Sequence, residues 1–327
     1  MDSSKRIFSA ALIAAAALGA GSALAQGAAY PNKPIRIIVP YAPGGLADAF
    51  VRQVGLQLSN RLGQPIVVDN KPGANTLIGA EAAARSPNDG YTILFCSMST
   101  LALNVGTYKK LPYDPVKDFS PISLGFYSPL YLAVNAALPV KTVDELVTLA
   151  KTRPTPMAYA STGNGGAMHV ITEQFRTVKG INLIHVPYKG SSPGLNDLVA
   201  GQVQIMFDVG ANSVEQAKAG RLRILAVTGP RRTQAAPQVP TMTEAGVPGF
   251  DLTVWFGFVA PAGTPPAIVE RLSREIADIQ KLPAFQEAAR SSGYELASNT
   301  PAQFSALIKN DIDKWVTMVK AAGVVPE

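Results

Sequence analysis

The stretch Ile35-Arg36-Ile37-Ile38-Val39-Pro40-Tyr41-Ala42-Pro43-Gly44-Gly45-Leu46-Ala47-Asp48 decides the fold. Ile37-Ile38-Val39 is apolar and β-branched, which suits a parallel strand covered on both faces. Pro40 and Pro43 stop the strand, and Gly44-Gly45 allow a tight turn and close backbone approach. A helix starting near Leu46 then places its unpaired N–H groups and positive dipole end at the carboxyl end of the strand. That position binds anions, and it is where open α/β sheets hold ligands. An ordinary βα turn with nothing bound has the same local sequence, so the rest of the chain must separate the two readings.

Working outward, the helix from Leu46 to Leu62 ends at Gly63. A strand from Gln64 to Asp69, a helix from Thr76 to Arg85 and a strand from Tyr91 to Phe95 follow, with Ser97 to Thr100 just beyond. Strand–helix–strand–helix–strand indicates a parallel, doubly wound sheet. Pro121 to Phe126 and Leu130 to Val134 are extended apolar runs, broken at Tyr127-Ser128-Pro129, where the chain is expected to cross into a second domain. Met157 to Ala160 then leads into Ser161-Thr162-Gly163-Asn164-Gly165-Gly166 and a helix from about Ala167 to Val178. This second strand, Gly-rich loop and helix start has the same physics as the first. Strands at Ile184 to Tyr188, Val203 to Phe207 and Leu222 to Thr228 alternate with helices at Gly194 to Ala200 and Val214 to Ala219. Leu252 to Ala260 is read as the return crossing, and three helices follow: Pro265 to Ile279, Pro283 to Ser291 and Pro301 to Ala322.

Two crossings predict a two-domain α/β fold, its domains joined by extended strands and the first built from both ends of the chain. Domain I comprises residues 26–127 and 252–327, and domain II residues 128–251. One Gly-rich helix start from each domain then faces a common cleft, which can close by hinge bending.

Residues 1–25 read as a secretory signal peptide: Lys5-Arg6, an apolar run from Ile7 to Ala20, and Ala23-Leu24-Ala25 as the cleavage site. The apolar run is short for a bilayer span, and no Cys follows the site to carry a lipid. The expected location is the periplasm. The formal charge of +6 includes one net positive charge from Asp2, Lys5 and Arg6, which leaves +5 for the mature chain. No basic run exceeds a dipeptide and no aromatics are interleaved, so nucleic-acid binding is not expected. Cys96 is the one cysteine, hence no internal disulfide, and it reads as a buried small hydrophobe. With two His and one Cys, neither a metal site nor another cofactor is expected.

Several motifs carry a family resemblance. They include Val39-Pro40-x-x-x-Gly44-Gly45-x-x-Asp48, Val68-Asp69-Asn70-x-Pro72-Gly73-Ala74 and Asp89-Gly90-Tyr91-Thr92. Tyr113-Asp114-Pro115-x-Lys117-Asp118-Phe119, His185-Val186-Pro187-Tyr188-Lys189-Gly190, Pro240-Thr241-x-x-Glu244-Ala245-Gly246 and Trp255-Phe256-Gly257 follow in order. Together they resemble the Bug family of periplasmic solute receptors, which serve tripartite tricarboxylate transporters. The resemblance implies a two-domain periplasmic-binding-protein fold of type II, the Venus flytrap with a hinge of crossing strands. It implies a monomer that captures a small carboxylate, a di- or tricarboxylate or a related organic acid, and hands it to membrane permease subunits. It also implies a carboxylate held by loop backbone groups, hydroxyls and waters rather than by an ion pair. The loops concerned are Tyr41 to Asp48, Ser97 to Thr100, Ser161 to Gly166 and the region of Asp208. Thr76 departs from the family, which usually has Gly there.

The candidate ligand residues are therefore Tyr41, Pro43, Gly44, Gly45, Asp48, Ser97, Ser99, Thr100, Ser161, Thr162, Asn164, Gly165, Gly166 and Asp208. Asp48 either touches the ligand or braces the first loop from within the helix's opening turn. Asp208 either meets a ligand amine or a water, or braces a loop. Tyr127, Met98 and Phe126 either wall the distal pocket or pack in the core, and His169 and Lys189 have structural or solvated readings. Holding a carboxylate without a countercharge is energetically sound. Four charge-assisted hydrogen bonds supply about 6–12 kcal/mol before ordering costs, and a micromolar Kd needs about 8. A ligand sensor signalling to a kinase ectodomain fits the same sequence. Gly190-Ser191-Ser192-Pro193-Gly194 matches an esterase nucleophile elbow, but no His follows Ser192 and Pro193 removes an oxyanion-hole N–H.

Overall fold

The computed structural model describes residues 30–250 and 252–326; the signal-peptide reading and its cleavage after Ala25 lie outside the described residues. The opening stretch forms β1 (Ile35–Val39) and α1 (Leu46–Leu62), and Ile35, Ile37, Ile38 and Val39 are fully buried. Gly63, in the left-handed region, ends α1 with its N–H on the Ser59 carbonyl. β2 (Ile66–Asn70), α2 (Leu77–Ala84) and β3 (Thr92–Ser97) follow, and β1 pairs in parallel with both β2 and β3. The chain thus leaves β1 on one side and returns on the other, which opens a crevice between the ends of β1 and β3. Beyond β3 a wide π-turn, Ser99–Leu103, runs into the short α3 (Asn104–Thr107).

β4 (Phe119–Asn135) is one strand of 17 residues where two interrupted runs were expected. Its first part pairs antiparallel with the returning strand through Pro129↔Thr253, and its second part takes new partners from Leu130↔Val209 onward. Pro129 sits at this exchange of neighbours, where a missing N–H costs least. α4 (Val143–Thr152), β5 (Met157–Ser161), α5 (Ala167–Lys179), β6 (Leu183–Pro187), α6 (Ser191–Val199) and β7 (Ile205–Val209) then repeat the first pattern. β5 lies in parallel between β6 and β7. α6 begins three residues earlier than expected, because Pro193 falls inside its first turn, where helices tolerate proline.

α7 (Ala211–Lys218), β8 (Leu222–Val227) and β9 (Thr253–Pro261) lead to α8 (Pro266–Gln280), α9 (Pro283–Ser292), β10 (Glu295–Leu296) and α10 (Pro301–Ala321). The three last helices each begin with proline in the first turn, as the sequence indicated. The strand order is β2-β1-β3-β9-β4-β7-β5-β6, with β8 and β10 both against β4. This is the two-domain α/β fold, in which β4 and β9 join the halves. The core of the first half is aromatic. Phe50, Phe95, Phe126 and Phe258 pack with ring centroids 4.7–6.3 Å apart. Cys96 is fully buried and its thiol donates to the Gly257 carbonyl at 3.3 Å.

The turn before α2 is strained. Ala74, Asn75 and Thr76 all have positive φ (44°, 45° and 77°), and a β-branched residue rarely adopts that conformation. Thr76 is the position at which the chain departs from the family it resembles, and its buried hydroxyl has no partner among the described residues.

Candidate functional site

Three helix starts converge at the junction of the halves. α1, α5 and α6 begin at Gly45, Gly166 and Gly190 respectively, none of which offers a side chain to cap its helix. The first turns of these helices, with their positive dipole ends, are aimed inward from both halves. Between them lies a narrow cavity of about 40 Å³. Its polar lining includes Tyr41, Ser97, Ser99, Thr162 and Ser191, with the first turns of α1 (Gly45, Leu46, Ala47) and α5 (Ala167, Met168). Leu130, Val209, Val254 and Phe256, from the joining strands and β7, line it too.

The halves touch around this cavity. The Ala167 N–H donates to Ser99 Oγ at 3.2 Å, Asn212 Nδ2 to the Gly44 carbonyl at 2.9 Å, and the Ala42 N–H to the Lys189 carbonyl at 3.2 Å. Gly165 requires its glycine: φ is +69°, and a Cβ there would lie 2.5 Å from Thr107 Cβ. Tyr41 Oη and Ser97 Oγ are 2.6 Å apart, and Ser97 N–H donates to Thr100 Oγ1 at 3.2 Å. Thr100 is fully buried and does not reach the cavity.

Asp48 is occupied within its own half. Its carboxylate accepts from the Gly44 N–H at 3.0 Å, Arg52 Nε at 3.0 Å and Asn70 Nδ2 at 2.9 Å. Asn70 also donates to the Tyr41 carbonyl at 3.1 Å, so one amide ties both ends of the turn to the head of α1. Burial opposes the Asp48 charge, but the guanidinium, the N–H and the amide outweigh it and hold the carboxyl below its usual range. Pro43 and Gly44 are exposed and do not line the cavity.

The second loop is braced from behind. Ser161, fully buried, accepts from the Gly163 N–H at 3.1 Å and lies 2.6 Å from His185 Nε2. His169 Nδ1 accepts from the Gly165 N–H at 2.9 Å, and its ring stacks on His185 with centroids 4.0 Å apart. Burial pushes His185 down to about 4, with His169 adding to the effect, so the ring is neutral at physiological pH. Asn164 lies exposed in a separate recess with Thr107, His169 and Glu173.

Asp208 is a strand residue of β7, opposite Tyr131, and fully buried. Ser191 Oγ and Ser213 Oγ both donate to its carboxylate, which joins the first turns of α6 and α7. Burial pushes its carboxyl up to about 6. A raised carboxyl keeps its proton in the folded chain after the unfolded chain has lost it. Its stabilising contribution is therefore full below about pH 4 and is lost as pH rises through about 6, a span of about 3 kcal/mol. Asp208→Asn is expected to remove that decline from the pH profile of the unfolding free energy, measured by urea titration between pH 4 and 7; an unaltered profile would refute it.

Of the expected distal walls, Phe126 and Met98 are fully buried in the core, and Phe126 stacks behind Phe256 with centroids 4.7 Å apart. Tyr127 faces a different groove, whose Arg231, Arg232 and Arg290 are each paired with a glutamate. The lining residues missed in the sequence are Ser191, hidden by the late placement of α6, Ala167 and Met168 of the α5 first turn, and the apolar side chains of β4, β7 and β9. Ser192 Oγ has no hydrogen-bond partner among the described residues, and the histidines lie behind the other loop, bonded to Ser161 and Gly165.

Residues 50–324 match the family described as "Tripartite tricarboxylate transporter family receptor". Protein BugT of Bordetella pertussis is 37% identical over 295 residues, 90% of each chain. Among solved structures, R. palustris Rpa4515 with adipate superposes with a TM-score of 0.88 at 34% identity, over 91% of this chain and all of that one. MatC from Rhodopseudomonas palustris with bound malate superposes with a TM-score of 0.84 at 28% identity, over 89% of this chain and all of that one. A family match over residues 50–324, together with a relative 37% identical over 90% of the chain, makes this chain a member of the tripartite tricarboxylate transporter receptor family of periplasmic solute-binding proteins.

Proposed function

We propose that the protein works in the periplasm as a monomeric receptor, closing on a small carboxylic acid and presenting it to the permease of a tripartite transporter. The observation that carries this reading is the convergence of the α1 and α5 first turns, one from each half, on a cavity with hydroxyl donors and no charged side chain among the described lining residues. Such a site suits one anionic group bound by dipoles. Relatives whose structures hold adipate and malate support the substrate class. The moving unit in this reading is residues 128–251, swinging about the exchange point of β4 and its neighbour β9. The proposed contacts are the first-turn amides of α1 and α5 with Tyr41, Ser97, Ser99 and Thr162. Asp48, Ser161 and Asp208 hold the turns in shape.

A thermal-shift screen of organic acids tests the proposal. A ligand at 100 times its Kd raises stability by about 2.7 kcal/mol. A clear upward shift with carboxylates is expected; none with any carboxylate, alongside a shift with sugars or cationic amines, would reject the reading.

A further inference from the structure

We infer that the acid taken by this cavity is a monocarboxylate with an apolar body rather than a di- or tricarboxylate; the inference rests on the carboxylate reading above. The donors all come from helix starts and loop hydroxyls. The rest of the lining is apolar: Leu130 from β4, Val209 from β7, Val254 and Phe256 from β9, with Leu46 and Met168 from the first turns of α1 and α5. No Lys, Arg or His lines the cavity among the described residues.

A second carboxylate placed against these walls would lose its water and gain no partner, and a buried unpaired charge is among the costliest arrangements in a protein. The charged groups on the surrounding elements do not change this. Asp48 and Asp208 are both acidic and both committed, one to Arg52 and Asn70, the other to Ser191 and Ser213. Asp208 stands one hydroxyl behind the lining and accepts from Ser191 Oγ, so that hydroxyl is not free to donate to a second acid group. Lys189, on the loop into α6, is exposed and does not line the cavity; it meets the other half through its carbonyl. Apolar ligand atoms match the same walls, since each buries hydrocarbon against hydrocarbon. Adipate and malate, held by the two relatives, carry an acid at both ends, so the expectation separates this chain from them.

Calorimetry on matched acids decides the matter. The protein is purified from the periplasm, unfolded and refolded to strip carried ligand, and titrated with butyrate and succinate, hexanoate and adipate, and 4-methylbenzoate and terephthalate. In the pair that fits the cavity, the monoacid is expected to bind about tenfold tighter or more, as loss of a charge's hydration without replacement dictates. Diacids binding as tightly as or tighter than their monoacid partners would overturn the inference and leave the carboxylate reading standing. Absence of binding by every acid of both kinds would overturn the two together.

Discussion

Gly166→Ala is expected to weaken ligand binding by about 10- to 100-fold, the size of an overpacked contact, while changing the stability of the unliganded protein by less than about 0.5 kcal/mol. Gly166 has φ −71°, a conformation alanine adopts freely, so no backbone strain arises. The added methyl would instead lie 2.7 Å from Asn75 Oδ1, a group of the opposite half. Asn75 cannot swing aside cheaply. Its Nδ2 donates to Asn104 Oδ1 at 2.6 Å, and Asn104 Nδ2 donates back to the Asn75 carbonyl at 3.0 Å. The halves must then stay slightly apart, and the first turns of α1 and α5 lose their common target. Calorimetry and thermal unfolding of the variant check the two parts separately. Unchanged affinity would mean that full closure at this contact is not needed for binding.

Asp48→Ala carries the second large effect, a loss of about 2–4 kcal/mol in unfolding free energy, because it strands several donors that are shielded or fixed in the native turn. The Gly44 N–H, the Asn70 amide and Arg52 all lose their acceptor together. The carboxyl is held below its ordinary value of 3.8, so its stabilisation is present above about pH 4 and lost as pH falls through the folded value. The gap in stability between wild type and variant is therefore widest at neutral pH and narrows in acid, the opposite sign to Asp208. Chemical unfolding at pH 7 and pH 3 measures this. Full stability with lost binding would instead assign Asp48 to the ligand.

Both helix starts that matter most were legible, near Leu46 and about Ala167, because proline and glycine punctuate strand ends strongly and apolar runs mark the strands. Two misreadings came from the same residue type. Pro129 made β4 look broken and Pro193 delayed α6, since local rules treat proline as a boundary unless the tertiary neighbours are known. The hydrocarbon side of the cavity was not legible for a different reason. Phe126 and Phe256 are equally apolar in the sequence and sit opposite one another on β4 and β9, stacked 4.7 Å apart, yet only Phe256 reaches the cavity, which shows only once the two halves are assembled. Nothing in linear order indicates that His169 stacks on His185, because that contact joins a helix to a strand through their shared packing. Asp48 and Asp208 were visible as candidates, whereas their partners Asn70, Ser191 and Ser213 appear only once the elements are assembled.

The claim on which the account depends is that one carboxylate is held between the first turns of α1 and α5 without a cationic side chain. A crystal structure with the best-binding acid from the calorimetric panel measures this directly. The expected result is carboxylate oxygens at hydrogen-bond distance, about 3 Å, from backbone N–H groups of both first turns, directly or through one water. A carboxylate paired with a lysine or arginine side chain, or one that contacts a single half only, would contradict it.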